Sequence, residues 1–376
     1  MPYLGLLLSI AFVVIPQTLE VVDVMPVWAG HPVGFYLLTH EDMQFIAFYD
    51  ADRKMTVGKR SLNDTVWEFQ RLPETLGWDS HNYITMAIDG KHQIHLSGNM
   101  HVKPLVYFRT TIALDITTFE RAPMVGNRET RMTYPKFLRN KKNALLFSYR
   151  DGQSGNGEEI YNIYNVETQE WNRFLDQPLT SGEGKRNAYI YGPVKGPDNC
   201  FHICWVWRIN SGCETNNNLS YAVSNDLIHW KTGTGVPVDL PMTLSTAEII
   251  DPVPINGGIL NGNTRLGFDS LKRPVVSYHK FDENGKTQIY NARLEYGAWK
   301  IYKTTEWDYR WEFSGGGTII SEIGISSISI ADQGTLRQSY RHKNIGSGTW
   351  LLDEHNFSII KMLQQPPSYP PELSKV

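Results

Sequence analysis

Groups of four short strands, rich in β-branched and aromatic residues, recur along this 376-residue chain between turn-forming segments. An aromatic side chain recurs in the outer strand of successive groups, at intervals of roughly fifty to seventy residues. These anchors are Trp67, Phe119, Trp171, Trp230, Trp299 and Trp350. No helix-length amphipathic segment competes with this pattern. The sequence therefore predicts an all-β fold, a seven-bladed β-propeller with four-stranded blades.

The ends of the chain complete this prediction. Segment 19–28 has no hairpin partner nearby, so we expect it to join the last blade and close the ring. Residues 1–19 contain an apolar run too short to span a bilayer and typical of a secretory signal, which predicts a secreted or periplasmic protein. Residues 20–363 then form one propeller domain, followed by a proline-rich tail at 364–376. A pair of β-sandwiches is the alternative fold.

Composition limits the classes of partner. The net charge is −3 and 12% of the residues are aromatic. Without a basic stripe, we expect neither nucleic acid nor an anionic membrane as a partner, whereas aromatic rings at low net charge suit sugar binding. No P-loop, G-x-G-x-x-G or G-x-S-x-G motif occurs, and no cofactor is predicted. Cys200, His202 and Cys204 alternate along one strand, a spacing that fits no standard zinc motif, so no metal is predicted.

Histidines cluster in one stretch of the chain. Residues 79–110 hold four of them, between short strands separated by turns. His81 and His101 each follow a turn-forming pair at the edge of an apolar run. A histidine at the end of a strand reaches solvent from a rigid support, as a functional site requires. The alternative is a strand-end histidine that hydrogen-bonds a loop.

A further histidine, His40, ends the first strand of the first group. Glu41 and Asp42 follow it, so a nearby carboxylate could orient its imidazole or make it more basic. The alternative is a turn histidine without a chemical role.

A long polar loop at 148–157 contains three glycines, which permit close approach of a ligand. Tyr149 and Arg150 at its start offer a phenol and a guanidinium to an acidic sugar. The alternative is a hairpin with Tyr149 in the core. Loops of later groups add Tyr189, Arg208 and His279.

Several motifs in combination resemble one protein family. They are DSHN, IHLSGNMH, PLVYFRT, TYPKF, FSYRDGQSGNG, NAYIYGP, DPVP and SYHKFD, and the resemblance runs from about His31 to Trp299. The family is the BNR-repeat-type β-propellers that act on L-rhamnose-α-1,4-D-glucuronate, the cap of arabinogalactan side chains. It includes α-L-rhamnosidases like those of glycoside hydrolase family 145 and related rhamnose–glucuronate lyases, with ulvan lyases more distant.

The resemblance implies a lyase site that contains His81, His101 and Tyr149. A lyase must neutralise the uronate carboxylate, remove the C5 proton and protonate the leaving oxygen, for which histidine, tyrosine and arginine are suited. Two positions depart from the lyase pattern. Ile163 and Asn217 stand where relatives are expected to carry cations, and each lost charge-assisted hydrogen bond is worth about 1.5–3 kcal/mol.

His40 matches the position of the catalytic histidine in the hydrolase members. We therefore predict a glycoside hydrolase, α-L-rhamnosidase-like, that removes terminal L-rhamnose from Rha-α-1,4-GlcA caps of arabinogalactan with His40. The alternatives are a polysaccharide lyase that cleaves the same linkage by β-elimination with His81 and His101, and a non-catalytic propeller that binds acidic glycans. The predicted partner is an acidic plant-type polysaccharide or oligosaccharide. The predicted substrate-binding residues are Arg150, Tyr189, Arg208 and His279.

Overall fold

The computed structural model describes residues 21–363, which form six antiparallel sheets in succession along the chain. The prediction of an all-β fold is confirmed. Helical structure in the described residues is limited to two 3₁₀ turns, Ile116–Thr118 and Cys213–Thr215.

The strands are numbered in chain order. The first sheet contains β1 (Tyr36–His40), β2 (Met43–Tyr49), β3 (Lys54–Ser61) and β4 (Glu68–Thr75). The second contains β5 (Ile84–Ile88), β6 (Ile94–Gly98), β8 (Tyr107–Thr110) and β9 (Phe119–Arg121). The third contains β7 (His101–Lys103), β10 (Met132–Arg139), β11 (Leu145–Gln153), β12 (Asn156–Asn165) and β13 (Glu170–Arg173).

The fourth sheet contains β14 (Asn187–Lys195), β15 (Phe201–Arg208), β16 (Asn216–Ser224), β17 (Trp230–Lys231), β18 (Pro237–Val238) and β19 (Glu248–Asp251). The fifth contains β20 (Arg265–Phe268), β21 (Pro274–Phe281), β22 (Thr287–Glu295) and β23 (Ala298–Lys303). The sixth contains β24 (Ile323–Ile325), β25 (Ser329–Asp332), β26 (Thr335–His342), β27 (Gly346–Asp353) and β28 (Ile359–Leu363).

A recurring turn fixes several of the hairpins. Asp50, Asp89, Asn140, Asp269 and Asp282 each accept, on Oδ1, the backbone N–H groups two and four residues later, at 2.8–3.0 Å. The residue three positions after each Asp or Asn is left-handed, with φ between 60° and 72°. The Asp or Asn side chain thus replaces backbone partners that the tight turn cannot supply.

Antiparallel order separates the loops into two ends. In each of the first, second, fourth and fifth sheets, and in the third sheet counted from β10, the turn between the first and second strands lies at one end and the turn between the second and third strands at the other. Turns 41–42 and 89–93 belong to the first kind, and turns 154–155 and 209–215 to the second. We call these the first-turn end and the second-turn end.

Three of the six aromatic anchors, Trp67, Trp230 and Trp350, do not lie in the outermost strand of their sheet; Trp230 lies on β17, inside the edge strand β18. Trp171, Trp230 and Trp350 are buried, and Trp171 lies in the outer strand β13. Trp67 directly precedes the outer strand β4, and Trp350 lies on β27, one strand in from the edge. Burial of such large rings between neighbouring sheets explains why the sheets lack the polar–apolar alternation of a one-sided sheet.

The described residues supply six sheets where seven blades were expected. The expected closing strand at 19–28 is not found in the last sheet. In its described part, Val27 forms an isolated bridge with Asp50 of the first-sheet hairpin, and the sixth sheet is built from 323–363. The predicted signal at 1–19 and tail at 364–376 lie outside the described residues.

Candidate functional site: a cation-lined cavity

A cavity of about 1570 Å³ lies at the second-turn end, bordered by residues of the second to sixth sheets and their loops. Its lining contains no aspartate or glutamate, but it does contain Arg208, Arg265 and Arg341. Within residues 21–363, none of these three guanidinium groups forms an ion pair with a carboxylate. A concave site with this composition favours anionic over cationic ligands.

Two histidines at the cavity share one carboxylate. His81 Nδ1 lies 2.6 Å from Asp79 Oδ1, and His101 Nδ1 lies 2.5 Å from Asp79 Oδ2. The two imidazole rings are 4.4 Å apart between centroids. Because both Nδ1–H groups donate to Asp79, each neutral ring leaves Nε2 free to accept a proton.

The electrostatics of this trio favour a neutral His101 imidazole beside a charged carboxylate. Burial raises the pKa of Asp79, but hydrogen bonds from the His81 backbone and from the His101 and His81 rings outweigh it, and the pKa falls to about 2. Burial lowers the pKa of His101 below its ordinary value, although Asp79 opposes this change. His101 is therefore predominantly a base at neutral pH.

Strand β7 brings His101 into the third sheet. It leaves the second sheet and pairs with β10, with His101 opposite Thr133. Thr133 is in turn opposite Arg150 on β11, and Arg150 is opposite Glu159 on β12. Directly opposed residues point to the same face of a sheet, so these four side chains form one cross-strand row.

A bulge in β10 directs Tyr134 into the cavity. The register shifts between Thr133 and Lys136, and Tyr134 has a φ of 59°, which is rare for an aromatic residue. Its ring centroid is 5.9 Å from that of His81 and 6.4 Å from that of His101. Burial raises the pKa of Tyr134 to about 12, so the phenol keeps its proton. Such backbone strain is concentrated at functional sites.

Arg150 is buried behind the cavity wall, next to two tyrosines. Its Nη2 donates to Thr133 Oγ1 at 3.2 Å and its Nη1 to the Tyr189 hydroxyl at 3.4 Å. The guanidinium carbon lies 4.9 Å from the centroid of the Tyr134 ring. Within the described residues it forms no ion pair, and its Nε has no hydrogen-bond partner. Glu159, opposite Arg150 in the row, has a pKa raised to about 7 by burial, so near neutral pH it balances this charge only in part. A ligand anion would stabilise the buried guanidinium further.

Tyr189 and Arg208 continue this wall. The Tyr189 hydroxyl lies 2.5 Å from Ser154 Oγ, and the Arg208 guanidinium lies 5.4 Å from the centroid of the Tyr189 ring. Both residues line the cavity. The structure therefore brings together His81, His101, Arg150, Tyr189 and Arg208 from the residues that the sequence singled out.

Tyr149 and His279 lie elsewhere. Tyr149 is fully buried in the core, where its hydroxyl accepts a hydrogen bond from Arg173 Nη1 at 3.1 Å. It neighbours Arg150 on a strand, so its side chain points to the opposite face. His279 is fully buried against Trp311, and burial lowers its pKa to about 4. Neither side chain lines the cavity.

His40 lies at the first-turn end, away from the cavity. Its Nε2 is 2.8 Å from Nδ1 of His92, which occupies the left-handed position of the 89–93 turn. His40, Glu41 and His92 offer three ligand atoms within 4.8 Å of one another. Asp79, His81 and His101 do the same at the cavity. Histidine nitrogens with one carboxylate form a donor set that could hold a transition metal.

The absence of the expected cations at two positions does not reduce the positive charge of the cavity lining. Ile163 packs beside a hydrophobic core cluster, and the Asn217 side chain donates to the backbone oxygens of Thr215 and Trp207. Neither residue lines the cavity, whose cations come from other strands.

Comparison with known proteins identifies the family. Residues 43–307, well over half of the chain, match the family described as BNR repeat-containing family member. The chain belongs to the BNR repeat-containing family. The match spans the strands from β2 to β23, including every residue of the His81–His101–Tyr134 wall.

Curated relatives of this BNR-repeat chain include ulvan lyases. The long isoforms from Alteromonas sp. (strain LOR) and Pseudoalteromonas sp. (strain PLSV) are each 29% identical over 121 residues. That alignment covers 30% of this chain and only 12% of each relative.

Solved structures resemble the whole fold. The polysaccharide lyase Uly1 superposes with a TM-score of 0.61 at 15% identity, covering 90% of this chain and 91% of that one. A polysaccharide lyase PL25 ulvan lyase bound to -[GlcA(1-4)Rha3S]- gives 0.63 at 12% identity, covering 90% and 86%. At these identities the likeness concerns the fold, which is propeller-like. No described helix has the length and apolar character needed to cross a membrane.

The predicted glycoside hydrolase is wrong. The curated relatives named above are ulvan lyases, and the two solved structures named above are polysaccharide lyases. These findings favour the lyase alternative, whose histidines lie at the cavity.

Sequence reasoning missed two residues of the site. The sequence marks Asp79 only as part of the turn-forming pair before His81, although it is the shared partner of both histidines. For Tyr134 the sequence predicts only a place in a strand. Its signal was Pro135, because proline within a strand marks an edge or a bulge.

Proposed function

We propose that this BNR-repeat chain is a polysaccharide lyase that acts on rhamnose-α-1,4-glucuronate linkages in an acidic polysaccharide and breaks the C4–O4 bond of the glucuronate. The observation that carries the proposal is the buried Arg150, without a carboxylate partner in the described residues, in one row with His101. The relatives' names and the oligosaccharide bound to a structural neighbour support the choice of substrate class.

The reaction is a β-elimination. A base removes the proton at C5, its electron pair forms the C4=C5 double bond, and the C4–O4 bond breaks with its electrons leaving on oxygen. The leaving oxygen takes up a proton and becomes the hydroxyl of the released sugar. The products are an unsaturated uronate and a free hydroxyl, so no water enters and no oxidant is needed.

The residues of the cavity, together with Arg150 behind its wall, match these needs. Arg150 and Arg208 neutralise the uronate carboxylate, which makes the C5 proton more acidic. His101 accepts that proton on Nε2 while Asp79 holds the Nδ1 proton of the ring. Tyr134, which keeps its proton at neutral pH, protonates the leaving oxygen. His81 hydrogen-bonds the same Asp79 and lies beside Tyr134, so it orients the substrate or shares the proton transfer.

The test uses ulvan and gum arabic as separate substrates. We expect new absorbance from unsaturated uronate to appear together with new reducing ends. His101→Ala should abolish both signals, whereas His40→Ala, at the other end of the sheets, should retain them. Free rhamnose without ultraviolet absorbance, or binding of both polymers without turnover, would contradict a lyase.

A further inference from the structure

A second aromatic cluster lies at the second-turn end, outside the cavity lining. Trp28 and Trp78 contact edge to face, with ring centroids 5.3 Å apart. His31 lies 5.6 Å from the Trp78 centroid and accepts a hydrogen bond from Trp28 Nε1 at 3.1 Å. The Arg53 guanidinium lies 5.8 Å and 5.6 Å from the two indole centroids. We call these four residues the Trp78 cluster.

The cluster is held in place but faces solvent. Trp78 is 72% exposed, although an indole, an imidazole and a guanidinium contact it. Gly30 lets the Trp28 ring fold against its own loop, because a Cβ there would lie 2.1 Å from the ring. A large aromatic ring that is exposed and held in a fixed orientation is typical of a binding site.

The Trp78 cluster contains one positive charge, on Arg53, that no nearby carboxylate of the described residues neutralises. Arg53 occupies the left-handed position of the turn that follows Asp50, and its Nη1 reaches only the backbone oxygen of Leu76, at 3.5 Å. Within residues 21–363 it has no carboxylate partner, since Asp50 and Asp52 both pair with Arg71. An aromatic platform beside a free guanidinium fits a ligand with an apolar face and a carboxylate.

The cluster adjoins the cavity. Trp78 directly precedes Asp79, and Ser80, two residues on, lines the cavity. His81 follows Trp78 by three positions, which limits the distance between their Cα atoms to about 11 Å. The turn that holds Arg53 lies at the same second-turn end. A polysaccharide chain leaving the cavity on this side would therefore pass over the Trp78 ring.

We infer that the Trp78 cluster is a distal sugar subsite, which binds a uronate-containing unit of the same polysaccharide outside the cleavage position. The inference rests on the proposed function and adds to it. The C–H face of the pyranose stacks on the Trp78 indole, whose π face is electron-rich, and the carboxylate of the unit pairs with Arg53. The enzyme thereby prefers longer chains.

The experiment compares purified rhamnose–glucuronate di-, tetra-, hexa- and octasaccharides as substrates. Wild type should show a KM that falls as the chain grows, and Trp78→Ala should raise KM for the longest chains about tenfold, with kcat unchanged. Trp78→Phe should recover part of the loss. Tyr296→Ala is the matched control, since Tyr296 is a fully exposed aromatic residue on the β22–β23 hairpin at the first-turn end. A Trp78→Ala enzyme with wild-type KM at every length would overturn the inference.

Failure of the subsite and failure of the lyase give different results. Binding of the octasaccharide is therefore also measured by calorimetry in the His101→Ala background, where no cleavage occurs. Adding Trp78→Ala or Arg53→Gln should weaken that binding, and Arg53→Gln should also reduce its dependence on salt. Wild-type affinity in both variants rejects the subsite even if the chain proves to be a lyase. A change of oligomeric state in Trp78→Ala, seen by sedimentation, would instead identify the cluster as a contact between copies of this chain.

Discussion

His101 and Arg150 lie in one cross-strand row of the third sheet, separated only by Thr133. The row exists because β7 pairs with β10 of the third sheet, although in sequence it lies between β6 and β8 of the second sheet. A proton acceptor and an anion-binding group are thus fixed by backbone pairing and not by flexible loops. A reaction that needs a base near a neutralised carboxylate benefits from this rigidity, because the geometry is set before substrate binds.

Asp79→Asn should lower kcat for polysaccharide cleavage by about 10²-fold or more, because the amide no longer holds both Nδ1 protons. Initial rates of unsaturated product formation measure this effect. The matched control is Asp226→Asn, since Asp226 also pairs with a histidine, the exposed His229, at 2.8 Å. An equal loss in both variants would contradict a specific role for Asp79.

The pH profile should report the state of His101. Because burial lowers its pKa below 6.5, the neutral base predominates at pH 7, and kcat/KM should rise with pH along an acidic limb whose midpoint lies below 6.5. Asp79 raises the pKa of His101, so Asp79→Asn should move that limb to still lower pH. An acidic limb centred above 6.5 in the wild type, or an upward move in the variant, would exclude His101 as the base.

Tyr134→Phe should reduce kcat strongly while leaving the fold intact, because it removes only the proton donor of a strained residue whose ring still packs. Tyr149→Phe is the counterpart. It should leave kcat unchanged and lower the free energy of unfolding by about 1 kcal/mol, since a buried hydroxyl that accepts from Arg173 is lost. Rates and urea unfolding of both variants separate the two roles. A loss of kcat in Tyr149→Phe, with kcat unchanged in Tyr134→Phe, would instead place Tyr149 at the site.

The sequence allowed prediction of the repeat of short strands, because turn residues and apolar runs are local signals. A common site for His81 and His101 was implied by the resemblance to lyases and not by a local pattern. The sequence placed both Tyr149 and Arg150 at the site and could not show that only one of them faces it. Adjacent residues of a strand point to opposite faces, and which face borders a cavity depends on packing against other sheets.

The position of Tyr134 depends on contacts that are distant in sequence. Its bulge lies where β10 pairs with β7, about thirty residues earlier in the chain, and no local pattern specifies that pairing. The prediction that segment 19–28 closes the ring was wrong for a similar reason. An isolated apolar segment pairs wherever an edge is free, and Val27 lies beside Asp50 in the first sheet instead of joining the last.

Glu159 ends the row that begins at His101, and it should make stability depend on pH. Burial raises its pKa to about 7, although Lys136 and Arg150 oppose the change. The folded protein therefore keeps this proton up to about pH 7, whereas the unfolded chain releases it near the ordinary value of 4.5. Stability from this group is present below 4.5 and is lost as the pH rises towards 7.

Glu159→Gln should accordingly raise the melting temperature at pH 8, where the wild type must bury an ionised carboxylate, and have a smaller effect at pH 5. Scanning calorimetry at the two pH values measures the difference. Glu170→Gln, on an exposed carboxylate of β13, serves as the control and should change the melting temperature equally little at both. A Glu159→Gln protein that melts below the wild type at pH 8 would mean that the ionised carboxylate stabilises the fold, through Arg150 and Lys136, more than its burial costs.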